Sequence, residues 1–268
     1  MHSVLRDYRV FLWLLKLGAV LNLYFLMNMS LTASGRADTW LIVPAQILFA
    51  VSAYRCLFPV RYEHNVVLHD SVLSSIFLTR LVATFSEIAY ISLFSHVLRL
   101  FNVNHVGWVE FLSWLMFAQV VISQCFVWTA ILTEQFECYF YEELGWAFIF
   151  TANTAASAYL YLTVSTLPGK KIVLVLNLLF GVVYLPWQTI HLTSLRAEAI
   201  RNRESSPSSY IPICKRLTTG LNQAVRTKNV RTDAASWGGL IGLTWMTAYW
   251  VTLIPMWVNY IVVVLRRP

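Results

Sequence analysis

Long runs of hydrophobic residues dominate the chain, and short polar or charged stretches separate them. An α-helix needs about 20 residues to cross about 30 Å of hydrocarbon, and seven runs are close to or above that length. Their approximate bounds are 9–29, 38–59, 72–98, 107–132, 144–167, 171–195 and 236–264. The runs are continuous rather than alternating, which favours helices over barrel strands. The pattern predicts an all-α, polytopic membrane bundle of about seven helices, with residues 1–268 forming one transmembrane domain.

The composition supports a membrane protein rather than a soluble one. Hydrophobic residues make up 58% of the chain and charged residues 12%. A soluble domain carries about 25% charged residues, so about half of the usual surface charge is missing. The first run is too long for a signal-peptide core, and Lys16 interrupts it. We therefore expect it to be a retained first span.

The net charge of +7 could suggest a nucleic-acid partner, but the basic residues are placed differently. Eight of the 20 Lys and Arg residues lie within 196–231, and others flank the hydrophobic runs. This distribution fits the positive-inside bias and contact with anionic lipids. We expect membrane lipids as partners and no nucleic acid.

The same basic residues predict an orientation. An odd number of spans places the two termini on opposite sides, and basic residues collect on the cytosolic side. The N-terminal side would hold the eight residues of 196–231 with Arg6, Arg9, Arg55 and Arg61. The opposite side would hold Arg36, Arg99, Lys170, Lys171, Arg266 and Arg267. The count favours a cytosolic N-terminus, with 196–235 as a basic, mobile cytosolic loop containing some amphipathic helix. That loop is also a candidate docking site for a protein partner.

The third predicted span carries two opposite charges, Arg80 and Glu87. A charged residue in a span costs about 2.5–3.5 kcal/mol on insertion scales, so such residues usually face the bundle interior and find partners. Thr84 lies between them at helical spacing, so the three share one face. Seven residues separate the charges by about 10 Å along a helix axis. A direct pair is possible only if both long side chains stretch toward each other, so we expect each charge to find its partner on another helix.

Polar stripes on later spans offer such partners. Span six carries Asn177, Gly181, Tyr184, Gln188 and His191 at steps of three and four residues, and Tyr184, Gln188 and His191 are the best candidates. Other stripes comprise Gln119 and Ser123; Asn153, Ser157 and Tyr161; and Trp245, Tyr249, Thr252, Met256 and Asn259. The stripes predict either a polar-lined cavity or hydrogen bonds that join the helices. In a cavity, Trp128 and Trp245 would supply apolar walls; alternatively they only pack between helices.

Two acidic or histidine-containing connections add candidates. Glu142 and Glu143 open the fifth predicted span, where they either stabilise the helix N-terminus or place a proton-exchanging carboxylate at the cavity mouth. Glu142 shares a face with Asn153. In 61–71, His69 could transfer protons, and Asp70 or Ser71 is expected to cap span three. The spacing there matches no metal motif, so no metal site is predicted.

The sequence contains no GxSxG, Walker A or GxGxxG motif and names no cofactor. The first functional hypothesis is a membrane enzyme acting on a lipid-soluble isoprenoid or acyl lipid. Glu87 would be its general acid or the counter-charge to Arg80, and Tyr184, Gln188 and His191 would orient the substrate. The second is a small-solute or proton-coupled transporter or channel. The third is a non-catalytic assembly subunit.

Overall fold

The computed structural model describes residues 7–32, 39–164, 168–205 and 212–266. Helices make up most of these residues, and only three two-residue strands pair, which confirms the all-α prediction. The helices are α1 Arg9–Thr32, α2 Thr39–Leu57, α3 Ile76–Phe101, α4 Gly107–Thr133, α5 Glu137–Thr163, α6 Pro168–Ser205, α7 Ile213–Arg226, α8 Gly239–Trp245 and α9 Leu253–Arg266.

Within the described ranges, six helical segments are long and apolar enough to cross a membrane. They comprise residues from α1, α2, α3, α4 and α6, and the continuous stretch Gly239–Arg266. The protein is therefore a membrane-embedded helical bundle. The one predicted span that is missing from these six is the fifth, at 144–167. It corresponds to α5, which is long enough but too polar to be among them.

Helix α5 begins at Glu137, seven residues before the predicted span. Glu142 and Glu143 thus lie in its second turn, and the helix dipole acts mainly on the first. Capping of this helix by the two glutamates was the wrong expectation.

The last span is helical but not uniform. A π-helix, Met246–Val251, connects α8 to α9, and the Thr252 N–H donates to the Thr247 carbonyl. The wider turn leaves the Trp250 carbonyl free to accept from Asn22 Nδ2 at 2.9 Å and from Cys56 Sγ at 3.5 Å. The irregular turn therefore connects the last span to α1 and α2.

The chain forms two compact units. Unit 1 comprises the described residues of Met1–Ala89 and Leu221–Pro268, and unit 2 comprises those of Tyr90–Gly220. In unit 2, α5 packs along both α4 and α6. Pro168 and Gly169 lie between the fifth and sixth predicted spans and are the first residues of α6. Proline suits that position because its missing N–H would have no helical partner there. The connection at 165–167 lies outside the described residues.

A small sheet joins distant parts of unit 1, and the sequence analysis predicted no strands. Strand β1 (Val60–Arg61) pairs antiparallel with β2 (Val66–Val67), which pairs in parallel with β3 (Asn229–Val230). The Tyr8 N–H donates to the Thr232 carbonyl at 2.7 Å. The start of α1, the α2–α3 connection and the residues before α8 therefore lie at one end of unit 1.

Apolar side chains pack beneath this sheet, and Trp237 is central among them. Its side chain is 1% exposed, and its Nε1 donates to the Arg231 carbonyl at 2.8 Å. The sequence predicts a mobile loop that ends two residues before Trp237. The structure instead orders much of 196–235, since α6 continues to Ser205 and α7 and β3 follow.

The start of α3 differs from the predicted cap. Val72–Ser74 form a 3₁₀ turn, and the Ser71 side chain makes no capping bond there. Ser75 Oγ accepts from the Leu78 N–H at 3.2 Å and is the residue that caps α3. Asp70 lies 3.6 Å from Lys228 Nζ.

We predict that Trp237→Ala lowers the free energy of unfolding by about 3–5 kcal/mol, because it removes a buried indole and leaves a cavity. Thermal or denaturant unfolding of the detergent-solubilised protein measures this loss. Trp40→Ala is the control, since Trp40 is 62% exposed. Equal losses in the two variants would contradict the packing role of Trp237.

Candidate functional site

Arg80 and Glu87 form a direct, two-bond ion pair on α3. Arg80 Nη1 donates to Glu87 Oε1 at 2.9 Å, and Nη2 donates to Oε2 at 2.8 Å. The two residues are 2% and 7% exposed. We expected partners on other helices, but both side chains extend along the helix face and meet. The planar guanidinium fork matches the carboxylate, so one contact satisfies two donors and two acceptors.

Thr84 lies on the same face but is occupied by its own helix. Its Oγ1 donates to the Arg80 carbonyl at 3.0 Å. This back-bond satisfies the hydroxyl hydrogen within α3. Substrate binding by Thr84 remains a prediction.

The Tyr62 ring lies between Arg80 and a second buried arginine, Arg55, which also contacts Trp250. The Tyr62 ring lies 5.5 Å from Arg80 Cζ and 5.2 Å from Arg55 Cζ. Arg55 Nη1 donates to Tyr62 Oη at 3.1 Å, and Arg55 Cζ lies 4.8 Å from the Trp250 ring. Arg55 is 7% exposed, although the sequence analysis counted it only as a flanking charge. Its position at the end of an apolar run gave no signal that it would turn inward.

The aromatic candidates of the last span also belong to unit 1. The Tyr249 ring lies 5.6 Å from the Trp245 ring and 4.4 Å from the Trp250 ring. These edge-on contacts stabilise the π-helix region by aromatic packing. That Trp245 and Tyr249 line a ligand site remains a prediction.

Unit 2 contains a separate polar cluster, formed by Glu143 of α5 with Gln188 and His191 of α6. Gln188 Nε2 donates to the Glu143 backbone carbonyl at 2.8 Å and to its carboxylate Oε2 at 2.7 Å. His191 Nε2 lies 3.7 Å from Glu143 Oε1. Gln188 is fully buried, and the His191 and Glu143 side chains are about 15% exposed. The cluster thus joins a carboxylate and an imidazole at the margin of the bundle.

The sequence favours Glu142 as the inward-facing carboxylate, and Glu142 is buried, but the carboxylate that contacts Gln188 and lies beside His191 is that of Glu143. At helical spacing Glu143 shares a face with Phe150 and Thr154, which both contact α6. Phe150 lies 4.6 Å from the Tyr184 ring, and Gly181 allows the Thr154 side chain to approach α6 closely. Helical periodicity gives this face from the sequence, but it does not indicate which neighbouring helix the face contacts.

Glu142 is buried and lies on the α4-facing side of α5. Its carbonyl accepts from Ser123 Oγ at 3.5 Å. Gly145, one turn later, leaves no room for a Cβ beside Ser123 and Gln119. Trp128, on α4, is partly exposed. The two adjacent glutamates therefore face different helices, and only Glu143 joins Gln188 and His191.

Asn153 lies deeper in α5 and is fully buried. Neither atom of its side-chain amide has a hydrogen-bond partner among the described residues. One turn further, Asn177 Nδ2 donates to Ser157 Oγ at 3.0 Å and joins α6 to α5. A buried amide that makes no hydrogen bonds costs free energy. This position is therefore suited to a bound water molecule or to a polar group of a ligand.

The Trp187 ring stacks on the His191 imidazole with centroids 5.2 Å apart. Tyr184 lies 5.8 Å from Trp187 and stacks on Phe180 at 5.2 Å. Gln188 Oε1 and His191 Nδ1 are buried atoms without hydrogen-bond partners among the described residues. The cluster therefore combines aromatic walls with one buried acceptor and one buried imidazole nitrogen whose hydrogen-bonding capacity the described residues leave unused.

The histidine of the α2–α3 connection has a different environment. The His69 ring lies edge-on to Trp13 at 5.5 Å. Burial, and then the nearby positive charge of Lys16, lower the His69 pKa and favour the neutral imidazole. Across the described parts of the chain, no three His, Cys, Asp or Glu residues group as metal ligands.

The fold and these buried polar groups define an integral membrane helical protein with two polar clusters, one in each unit. Comparisons with protein-family models, curated proteins and solved structures gave no match.

The ion pair leads to a test by double substitution. Arg80→Leu and Glu87→Leu should each lower the free energy of unfolding by about 3–5 kcal/mol, because each leaves an uncompensated buried charge. The double variant should lose less than the two single losses combined, and unfolding in detergent micelles measures all three. Glu110→Gln, at an exposed glutamate, is the control. Additive losses would contradict the direct pairing.

Proposed function

We propose that the protein is a membrane-embedded enzyme acting on a lipid-soluble substrate, an isoprenoid or acyl lipid, with Glu143 and His191 as its acid–base pair. The observation that carries this proposal is the Glu143 carboxylate held by Gln188 at 2.7 Å beside His191 at 3.7 Å. A carboxylate and an imidazole are the side chains that most often transfer protons in enzymes. Their partial exposure at the bundle margin leaves them accessible to a substrate.

In this proposal each member of the cluster has a role. Gln188 positions the carboxylate, and Glu143 accepts a proton from the substrate or returns one to it. His191 is the second proton-transfer group, and its Nδ1 can contact the polar end of the substrate. Trp187, Tyr184 and Phe180 supply the apolar wall for its hydrocarbon part.

The geometry changes the role proposed for Glu87. Both of its oxygens accept from the Arg80 guanidinium. Acting as a general acid would require this contact to break. Of the two roles considered for Glu87, we therefore favour the counter-charge that allows Arg80 to reside in the membrane.

Proton-coupled transport is a second candidate, because polar groups continue along α5. They run from Glu143 through Asn153 to the Ser157–Asn177 bond. Fourteen residues from Glu143 to Ser157 correspond to about 21 Å of helix, most of a hydrocarbon core. Such a row could relay protons through bound water.

The enzyme proposal predicts loss of turnover when the pair is altered. Purified protein in lipid nanodiscs would be incubated with a total lipid extract of the producing cells, and mass spectrometry would follow each lipid species. Wild type should convert at least one species, while Glu143→Gln and His191→Asn should each lower that rate about 10²–10⁴-fold. Glu198→Gln, two turns beyond His191 on the same helix, is the control.

Full turnover by Glu143→Gln would exclude the assigned role of Glu143. If wild type converts no lipid but shows proton flux in proteoliposomes that Glu143→Gln abolishes, the transport candidate replaces the enzyme.

The proposal includes a topology of seven crossings with a cytosolic N-terminus. Pairing of β2 with β3 brings residues 229–230 to the same end of unit 1 as residues 66–67. The chain between them must therefore cross the membrane an even number of times. Helices α3, α4 and α6 are three candidate spans, so α5 is inferred to be the fourth crossing. The basic residues at this end favour the cytosol.

Epitope tags test this topology by antibody access after selective permeabilisation of the plasma membrane. An N-terminal tag should be reached from the cytosol and a C-terminal tag from the opposite side only. Cytosolic access to both tags would mean an even number of crossings and would exclude α5 as a span.

A further inference from the structure

Helix α7 carries an exposed apolar stripe that the functions above do not use. Ile213, Leu217, Leu221 and Val225 recur every four residues and are 66%, 39%, 43% and 44% exposed. At 100° per residue, this row covers an arc of about 120° on the helix surface. Four aliphatic side chains on one arc form a continuous apolar strip rather than scattered exposed residues.

The stripe adjoins the face by which α7 attaches to the protein, and Ala224 lies at the edge that the two share. Gly220 packs directly against the Leu132 carbonyl and leaves no room there for a Cβ. Arg216 Nη2 donates to the Thr133 carbonyl at 2.7 Å. Ala224, on the same face as Gly220, is 1% exposed. One face is therefore docked, and the apolar stripe is the next face around the helix.

The docking position places α7 at the edge of the membrane. Leu132 and Thr133 are the last residues of the candidate span Gly107–Thr133. Candidate spans also precede and follow α7 along the chain, at Pro168–Arg201 and Gly239–Arg266. The exposed stripe thus lies at the level where a span ends and the headgroup region begins.

The charges on α7 indicate which surface it meets. Between 213 and 231 the chain carries five basic residues and no acidic residue. Lys215 and Arg226 lie on the polar face beside Asn222, roughly opposite the docked face. An apolar strip flanked by cations is typical of a helix that lies in the interface of an anionic membrane.

We propose that α7 lies in the membrane interface, with Ile213, Leu217, Leu221 and Val225 in the acyl boundary and Lys215 and Arg226 on anionic lipid phosphates. The full-length protein binds anionic lipid at this helix, whatever reaction or transport it performs.

Spin labelling tests the placement in the full chain. The native Cys214 lies within the arc of the stripe, so its label requires no substitution on α7. Cys125→Ser and Cys138→Ser remove the other accessible thiols, since Cys56 is buried. A second label at Asn222→Cys, with Cys214→Ser, reports on the polar face. Nanodiscs would contain phosphatidylcholine with or without phosphatidylglycerol.

The Cys214 label should be relaxed more by oxygen than by a water-soluble nickel chelate, and the label at 222 should show the reverse. Phosphatidylglycerol should increase the oxygen preference at Cys214. Lys215→Gln with Arg226→Gln should remove that increase, whereas the control Lys170→Gln should retain it.

Two results would overturn the proposal. Strong relaxation of the Cys214 label by the nickel chelate would place the stripe in water. Exclusion of both reagents would mean that protein, another segment or a second copy, covers it.

Discussion

Hydrocarbon offers no hydrogen-bond partner, so each polar group carried into the bundle has to be satisfied by the protein. This constraint explains the strongest contacts in both units. In unit 1, Arg80 and Glu87 exchange two charge-assisted bonds. In unit 2, Gln188 spans from α6 to both the carbonyl and the carboxylate of Glu143. Each contact removes a desolvation cost and at the same time fixes one side chain or helix against another.

The same constraint separates polar residues that are occupied from those that can serve a ligand. Many threonines in the helices donate to the carbonyl four residues earlier, among them Thr84, Thr151 and Thr154. These threonines are polar residues, but their hydroxyl hydrogens are already donated within the helix and are not available to a ligand. Asn153, Gln188 Oε1 and His191 Nδ1 differ, because the described residues offer them no partner. Chemistry is best sought around such atoms rather than along every polar stripe.

The helices could be predicted because burial in lipid imposes one long pattern, and that pattern is visible in any single run. The partners that individual side chains contact could not be predicted from this pattern. Arg80 and Glu87 meet only because two long side chains extend toward each other, which spacing alone argued against. Glu143 was missed because the polar Asn153 lies on the face of Glu142, whereas Glu143 shares its face with Phe150 and Thr154, and one helix alone does not indicate which neighbour each face contacts. The pairing of Val66–Val67 with Asn229–Val230 joins segments more than 160 residues apart, which local patterning does not encode.

The discontinuity of unit 1 has a consequence for how the protein is made. Unit 2 is one continuous stretch, Tyr90–Gly220, so its helices can pack as soon as they leave the ribosome. Unit 1 needs both ends of the chain. Asn22 and Cys56 cannot donate to the Trp250 carbonyl, and β2 cannot pair with β3, until the last part of the chain has been made. During synthesis its early helices must remain in the membrane with the buried face of α1 and α2 incomplete. Truncation before the last span would therefore leave unit 2 intact and expose unit 1 to quality control.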